Sequence, residues 1–343
     1  MSFENEKTKM KKVLIDIYHL PQYNMFRNTI RNFDPSEVDI YCVNRGKLLP
    51  VIQYELPEYN IICIGDYRHN KGMYSMVFKI IVPRLWKLFR LIKSSKYRYV
   101  ITAHYQANFI AKLKGIPNVA FIDDPRRFVF PLLKFSADDV YLPPFEKKFE
   151  GVKYFNALKE WSYLSPKYFK PQISALEEYG LAPKEYIFIR EVSTETSNYL
   201  SQETGAILSI SANFPTTLKV VLSLENKELV DKFPKSWIIL KEPVKDIHSL
   251  MYYSQVVISS GDSVAREGAM LGVPSIYAGI RDMPANVIMM KKGMLLKLHP
   301  SEIVETVAKM RSGELTFPEP DVFRQELLEE WDDVTTLLLD KLK

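Results

Sequence analysis

The residues best equipped for chemistry stand in one run, Ser259, Ser260, Gly261, Asp262, Ser263, Val264, Ala265, Arg266 and Glu267. An apolar, strand-like stretch leads into it from Val256, and a helical stretch follows to Leu271. A helix that starts directly after a strand, with Gly and Ser in the turn, offers unpaired backbone N–H groups and the positive end of a dipole. That suits a diphosphate. Asp262 or Ser263 can cap the helix. Ala265, Ala269 and Gly272 are small and let it approach a sheet. Glu267 falls one turn further along, where a carboxylate can accept two hydrogen bonds from a ribose diol. A plain capped helix packed on a sheet would use the same residues. The charge of Asp262 also opposes a phosphate unless it points away as a cap.

The first half of the chain holds a second candidate set. His19 follows the apolar run Val13 to Ile17. With an ordinary pKa of about 6.5, an imidazole can deprotonate a hydroxyl; it can equally hydrogen-bond a loop carbonyl. Asp123, Asp124, Pro125, Arg126 and Arg127 follow a run that ends at Ile122. Either carboxylate could be a base, and either guanidinium could bind phosphate. An Asp-Pro turn with solvated charges is the plainer alternative. His104, just after Thr102, belongs to the same rim. Arg190 ends the run Tyr186 to Ile189, where it could reach a diphosphate or pair with Glu191.

Elements that could position these groups alternate along the chain. Strand-like runs occur at Val13–Ile17, Val38–Val43, Ile61–Ile64, Tyr99–Thr102 and Val119–Ile122, with helical stretches at Gln22–Asn32, Gly72–Lys96 and Tyr105–Lys114. The longest of these is expected to bend or break at Pro83. Prolines make the chain irregular between Pro125 and Pro183. Strands are then expected at Tyr186–Ile189, Leu218–Leu222, Trp237–Leu240, Val256–Ser259 and Ser275–Tyr277, with helices between them. The alternation predicts an α/β fold of two parallel sheets covered on both faces: two Rossmann-like domains facing a cleft. The expected domains are 1–170 and 171–320, with a C-terminal helix over 321–343 returning to the first.

Composition narrows the classes. The 343 residues are 47% hydrophobic and 25% charged, ordinary for a globular chain of about two domains. The two cysteines, Cys42 and Cys63, both lie in apolar runs and read as buried core thiols. No Cys/His cluster has metal-ligand spacing, so neither a metal nor a cofactor is expected. The first twelve residues are polar and charged, so no secretory signal is expected, and no uncharged apolar run is long enough to cross a membrane. A cytoplasmic location is expected. The net charge of +5 is unevenly spread. Between Asp66 and Asp123 there is no acidic residue, while Lys and Arg recur from Arg68 to Lys114. Such a block implies an anionic partner. Residues 73–99 also interleave Met, Phe and Trp with that charge, as a basic amphipathic helix at a membrane does. A sheet-covering helix with solvated charges is the alternative. No nucleic-acid-binding module accompanies the block.

The run from Val256 to Pro274 resembles the donor-site loop of GT-B proteins, and more closely the prokaryotic family called domain of unknown function 354. That family is distantly similar to MurG-type glycosyltransferases and to non-hydrolysing UDP-N-acetylglucosamine 2-epimerases. Gly261, Arg266, Glu267, Ala269, Leu271, Gly272, Val273 and Pro274 match its pattern Gly-Gly-Thr-Met-x-Arg-Glu-Ala-Ala-x-Leu-Gly-Val-Pro. Asp262, Ser263 and Val264 replace its second Gly, its Thr and its Met. His19 with Phe26, Arg27 and Asn28 is similar to its opening, Glu160 to Leu164 and Phe169 to Pro171 to its linker, and Ile187 to Arg190 to the start of its second domain. The family's second and third histidines fall at Gln22 and Asn24.

The resemblance implies a GT-B glycosyltransferase of cell-surface glycan or glycolipid assembly. A nucleotide-diphosphate sugar, most simply a UDP sugar, would bind through Ser260, Gly261, Asp262, Ser263, Arg266 and Glu267, with Arg190 and Arg126 assisting. His19, Asp123 or Asp124 would deprotonate a glycan or lipid-linked acceptor, at the inner membrane face if residues 73–99 dock there. A 2-epimerase-like isomerase and a non-catalytic nucleotide-sugar-binding protein are the alternatives. The oligomeric state is not readable from the sequence.

Overall fold

The computed structural model describes residues 10–66, 77–125, 129–193, 205–241 and 244–342. The chain divides into two compact units, Met1–Tyr163 with Asp332–Lys343, and Leu164–Trp331.

The first unit is built on seven strands: β1 Lys12–Ile17, β2 Val38–Asn44, β3 Asn60–Asp66, β4 Tyr97–Thr102, β5 Asn118–Phe121, β6 Asp139–Leu142 and β7 Lys153–Tyr154. All pair in parallel, in the order β3-β2-β1-β4-β5-β6-β7. Helices α1 Leu20–Arg31, α2 Leu48–Glu55, α3 Val82–Leu91, α4 Tyr105–Leu113, α5 Phe130–Ser136 and the single turn α6 Trp161–Leu164 connect them. The hydrophobic run of β1 sits at the centre because it is apolar on both faces, as a covered parallel strand must be. Its Leu14 forms one core with Tyr41, Tyr97 and Val100 of the neighbouring strands, Leu88 of α3 with Ile92 just after it, and Ala107 and Ile110 of α4. Apart from residues 72–76, which lie outside the described residues, the long helix expected over 72–96 is interrupted, from π to α, beside Pro83 and ends at Leu91. Pro83 stands in the first turn of α3, where its missing N–H costs little, after a π turn at Val77–Ile81.

The second unit repeats the plan with β8 Tyr186–Glu191, β9 Lys219–Leu224, β10 Ile238–Ile239, β11 Val257–Ser259, β12 Ser275–Tyr277 and β13 Leu295–Lys297. Its strands are also all parallel, in the order β10-β9-β8-β11-β12-β13. Helices α7 Ser174–Glu177, α8 Ile247–Tyr252, α9 Asp262–Met270, α10 Pro284–Lys291, α11 Pro300–Ser312 and α12 Pro320–Glu330 surround it. The core joins Ile187, Ile189, Val220, Leu222, Ile258 and Ile276 of the sheet to Ile303 and Val307 of α11.

Three expectations change. The single helix expected over 321–343 is two: α12, then α13 Val334–Leu342. Asp332 separates them by exchanging hydrogen bonds with Asn156, its N–H to the carbonyl at 2.9 Å and its carboxylate from the N–H at 2.6 Å. The hydroxyl of Thr335 on α13 then donates to the Ser162 carbonyl at 3.1 Å. Cys63 is exposed rather than buried, because β3 is an edge strand; Cys42 on β2 is buried. The stretch read as irregular after Pro125 contains α5, β6 and β7.

Candidate functional site

In each unit the strand order reverses beside its first strand, between β8 and β11 in one and between β1 and β4 in the other. Ligands of open α/β sheets bind at the carboxyl ends of strands at such a point.

In the second unit the two strand ends are tied together. The Ser260 N–H donates to the Arg190 carbonyl at 3.0 Å, and the Val192 N–H donates to Ser260 Oγ at 2.9 Å. Ser259 turns back on the loop: the Gly261 N–H donates to its Oγ at 3.0 Å, and its hydroxyl donates to the Gly261 carbonyl at 2.7 Å. Both serines are fully buried, so they build the turn from inside. The N-cap of α9 is Gly261, which has no side chain to spend on the first-turn amides. Ser263 and Val264, in that first turn, are partly exposed. The helix lies closer to the sheet than the small residues noted above would require. A Cβ at Gly268 would stand 2.5 Å from Ser275 Oγ and 2.7 Å from Val257 Cβ. Gly272 then ends the helix at φ +76°, the left-handed conformation that favours glycine.

Asp262 faces inward. Its carboxylate takes an ion pair from Arg266 at 2.8 Å and from Arg281 at 3.5 Å, and Arg266 also donates to Asn286 Oδ1 at 2.7 Å. Asp262 and Arg266 are both buried. Asp262 thus neither caps the helix nor presents charge to a phosphate, and Arg266 holds the helix from behind. Both are expected from the sequence among the ligand-binding groups; their burial in an ion pair instead makes them supports of the helix start. Glu267 keeps a small opening to solvent, and its carboxylate lies 3.4 Å from His248 Nε2 on α8.

Arg190 donates to Ser223 Oγ at 2.6 Å and is ion-paired with Glu225, not with Glu191. Glu191 points the other way and is buried, accepting from the N–H groups of Ile207 at 2.7 Å and Leu208 at 3.2 Å. Burial pushes its carboxyl above the ordinary range, although hydrogen bonds from Ser260, Ile207 and Leu208 oppose the shift.

In the first unit His19 is the N-cap residue of α1. Gln22 accepts from the N–H groups of Tyr18 at 2.7 Å and His19 at 3.2 Å, so the residue at the family's second histidine fixes the His19 backbone. Arg45 lies 2.9 Å from His19 Nε2. A guanidinium can only donate, so this nitrogen accepts. His104, just after the neighbouring strand β4, is the N-cap residue of α4, and its ring stacks on Tyr18 at 4.5 Å between centroids and 7° between planes. The structure therefore brings His19, Tyr18 and His104 to one point. Beneath them Arg84, from the basic block, is buried: it donates to Asp16 at 2.5 Å and Gln106 at 2.6 Å. Asp123 is ion-paired with Lys159, and Asp124 is buried. Arg126 and Arg127 lie outside the described residues.

Sequence reasoning missed His248, Arg281, Asn286, Arg45 and Lys159, whose relevance comes only from distant packing. It also missed the Asp16–Arg84 pair, although a charge inside the apolar run Val13–Ile17 was a visible signal. Among the described residues no group of three or more His, Cys, Asp or Glu side chains could hold a metal, and no helix is long and apolar enough to cross a membrane.

Two parallel sheets of this order define a GT-B α/β protein, and solved structures share the fold. A UDP-GlcNAc 2-epimerase from Neisseria meningitidis bound to UDP-GlcNAc matches with a TM-score of 0.67 at 12% identity, covering 96% of this chain and 99% of that one. The UDP-GlcNAc 2-epimerase of Methanocaldococcus jannaschii, in complex with UDP-GlcNAc and UDP, matches at 0.63 and 13%, covering 96% and 98%. Spinosyn forosaminyltransferase SpnP matches at 0.67 and 12%, covering 97% and 99%. The search of curated proteins found no match. Residues 195–343 match the family described as Protein of unknown function (DUF354), which bears out the resemblance drawn from the loop around Gly261.

Proposed function

We propose that this protein is a glycosyltransferase that uses a nucleotide-diphosphate sugar, a UDP sugar in the simplest case, in cell-surface glycan or glycolipid assembly. The observation that carries the reading is the glycine-capped start of α9 at the strand-order reversal, with Glu267 one turn along it. In this reading the amides around Gly261 and Ser263 hold the diphosphate. Glu267 accepts from the ribose hydroxyls, and His248 sets the direction of its carboxylate. Arg190 stands at the end of β8 beside the same turn, and Arg126 is a further phosphate-binding candidate. The acceptor hydroxyl attacks the anomeric carbon as the bond to the diphosphate breaks. Its proton passes to His19, Asp123 or Asp124, and the nucleoside diphosphate leaves with the charge stabilised by the helix N-terminus.

A second reading, nucleotide-sugar binding without chemistry, is favoured by the first unit. Arg45 occupies His19 Nε2, and Lys159 occupies Asp123. An epimerase is the third, since the neighbours of this fold include epimerases. Incubation with UDP-N-acetylglucosamine alone separates the three. A transferase gives at most slow hydrolysis and needs an added acceptor, an epimerase forms a second sugar without one, and a binder shows only thermal stabilisation. Absence of binding to every nucleotide sugar in a calorimetric panel would sink the proposal.

A further inference from the structure

We infer that the outer face of α3, α4 and α5 docks on an anionic lipid surface. The inference is independent of the donor-site reading. Opposite its buried side, Arg84 and Leu88, α3 presents Val82, Trp86 and Phe89 at spacings of four and three residues, the period of one helical stripe. Trp86 is 58% exposed and Phe89 51% exposed; side chains of this size normally bury. Phe78, in the preceding π turn, is 66% exposed and extends the stripe.

The neighbouring helices continue it. Lys114, just after α4, donates to the Phe89 carbonyl and to that of Ile92 at 2.6 Å, and its ammonium lies 4.3 Å from the Phe89 ring centroid. Lys112 donates to the Phe135 carbonyl at 2.6 Å and lies 5.2 Å from that ring. These lysines join the carboxyl ends of the three helices. Leu113 and Phe135, at the carboxyl ends of α4 and α5, are 61% and 65% exposed. Large apolar groups gathered on one face mark an interaction site rather than scattered surface residues.

The charge of the face selects its occupant. The three helices contain no acidic residue. Lys79, Lys87, Arg90 and Lys93 are exposed along or just beside α3, and the Arg90 guanidinium lies 4.7 Å from the Trp86 ring centroid. Cations set among exposed aromatic rings suit the boundary between anionic headgroups and acyl chains, where rings enter the apolar side and cations stay outside. The core of a protein–protein interface is instead depleted of lysine.

Sedimentation of the full chain with phospholipid vesicles tests this. It should pellet with vesicles of phosphatidylcholine and phosphatidylglycerol, be released by added salt, and stay in solution with phosphatidylcholine alone. Lys87→Glu, Arg90→Glu and Lys93→Glu together should weaken partitioning on the order of a hundredfold. Trp86→Ser, Phe89→Ser and Phe135→Ser should also release the protein. All six positions are exposed, so unchanged circular dichroism is expected of both variants. No pelleting with the anionic vesicles, or equal pelleting of wild type and both variants, would overturn the inference. So would equal pelleting with phosphatidylcholine alone. A self-associating wild type in analytical ultracentrifugation that becomes monomeric with the Ser substitutions would assign the face to a second copy of this chain instead.

Discussion

The two points of strand-order reversal use buried charge differently. Between β1 and β4, Asp16 on the sheet is held by Arg84 from a helix 68 residues away in sequence. Between β8 and β11, Asp262 and Arg266 pair within one helix, four residues apart, and Arg281 adds a second contact. The first arrangement staples a helix to the sheet and leaves an aromatic and histidine rim above. The second stiffens a helix start while its glycine cap leaves the first-turn amides without a capping side chain. One rim carries the imidazoles of His19 and His104; the other is a glycine-capped helix start. The difference follows from where each guanidinium originates, not from the charges themselves.

Breaking the two pairs should give unequal losses. Arg84→Met leaves the Asp16 carboxylate buried without its guanidinium and should cost about 3–5 kcal/mol of stability in denaturant unfolding. Arg266→Met leaves Asp262 with Arg281 and should cost less, about 1–3 kcal/mol. Equal losses would show that Arg281 gives Asp262 no shelter. Glu267→Ala should leave the fold intact and weaken UDP binding by about 1.5–3 kcal/mol, roughly ten- to a hundredfold, in calorimetry. Unchanged affinity would remove the ribose assignment. Gly268→Ala gains up to about 1 kcal/mol of helix propensity. Val257 Cβ cannot rotate away from the new methyl, so a net loss of about 1 kcal/mol is expected. A stabilised variant would show that α9 can lift from β11 freely.

The smallest effect distinguishes the units by pH. In the first unit Asp39 is buried, which would raise its pKa. Hydrogen bonds from Asn60, Lys96, Tyr97 and Lys12 outweigh that and hold it well below the ordinary range. Its contribution to stability is present above the unfolded carboxylate pKa and is lost as pH falls toward the lower folded one. Glu191 in the second unit is shifted upward by burial. Its folded form binds the proton more tightly, so it lowers stability as pH rises above the ordinary carboxylate range. Glu191→Gln should therefore flatten the decline at rising pH, and Asp39→Asn should flatten the acid decline. Denaturant unfolding across pH reads both, and an unchanged profile for either variant contradicts its assignment.

Much of this was legible before folding. Unbroken apolar runs bounded by turn residues located the central strands, because a strand covered on both faces has little choice of composition. The Gly261 turn was legible because strand, glycine and helix adjoin in sequence. Cys63 was misread because an edge strand and a central one can carry the same apolar run. The burial of Arg84 was not legible because its neighbours in the basic block are exposed, and a charge count does not say which member faces inward.

The sequence by itself determined two α/β units, the position of a strand–glycine–helix turn and a one-sign block, since each depends on residues close together in the chain. Only the tertiary structure decided which charges are supports and which remain available. It buried Asp262, Arg266 and Arg84, set His248 beside Glu267 and Arg45 against His19, and left Trp86, Phe89 and Phe135 outside. Those outcomes depend on packing between elements distant in the chain, and burial, which sets the energy of a charge or an aromatic ring, is a property of the packed fold alone.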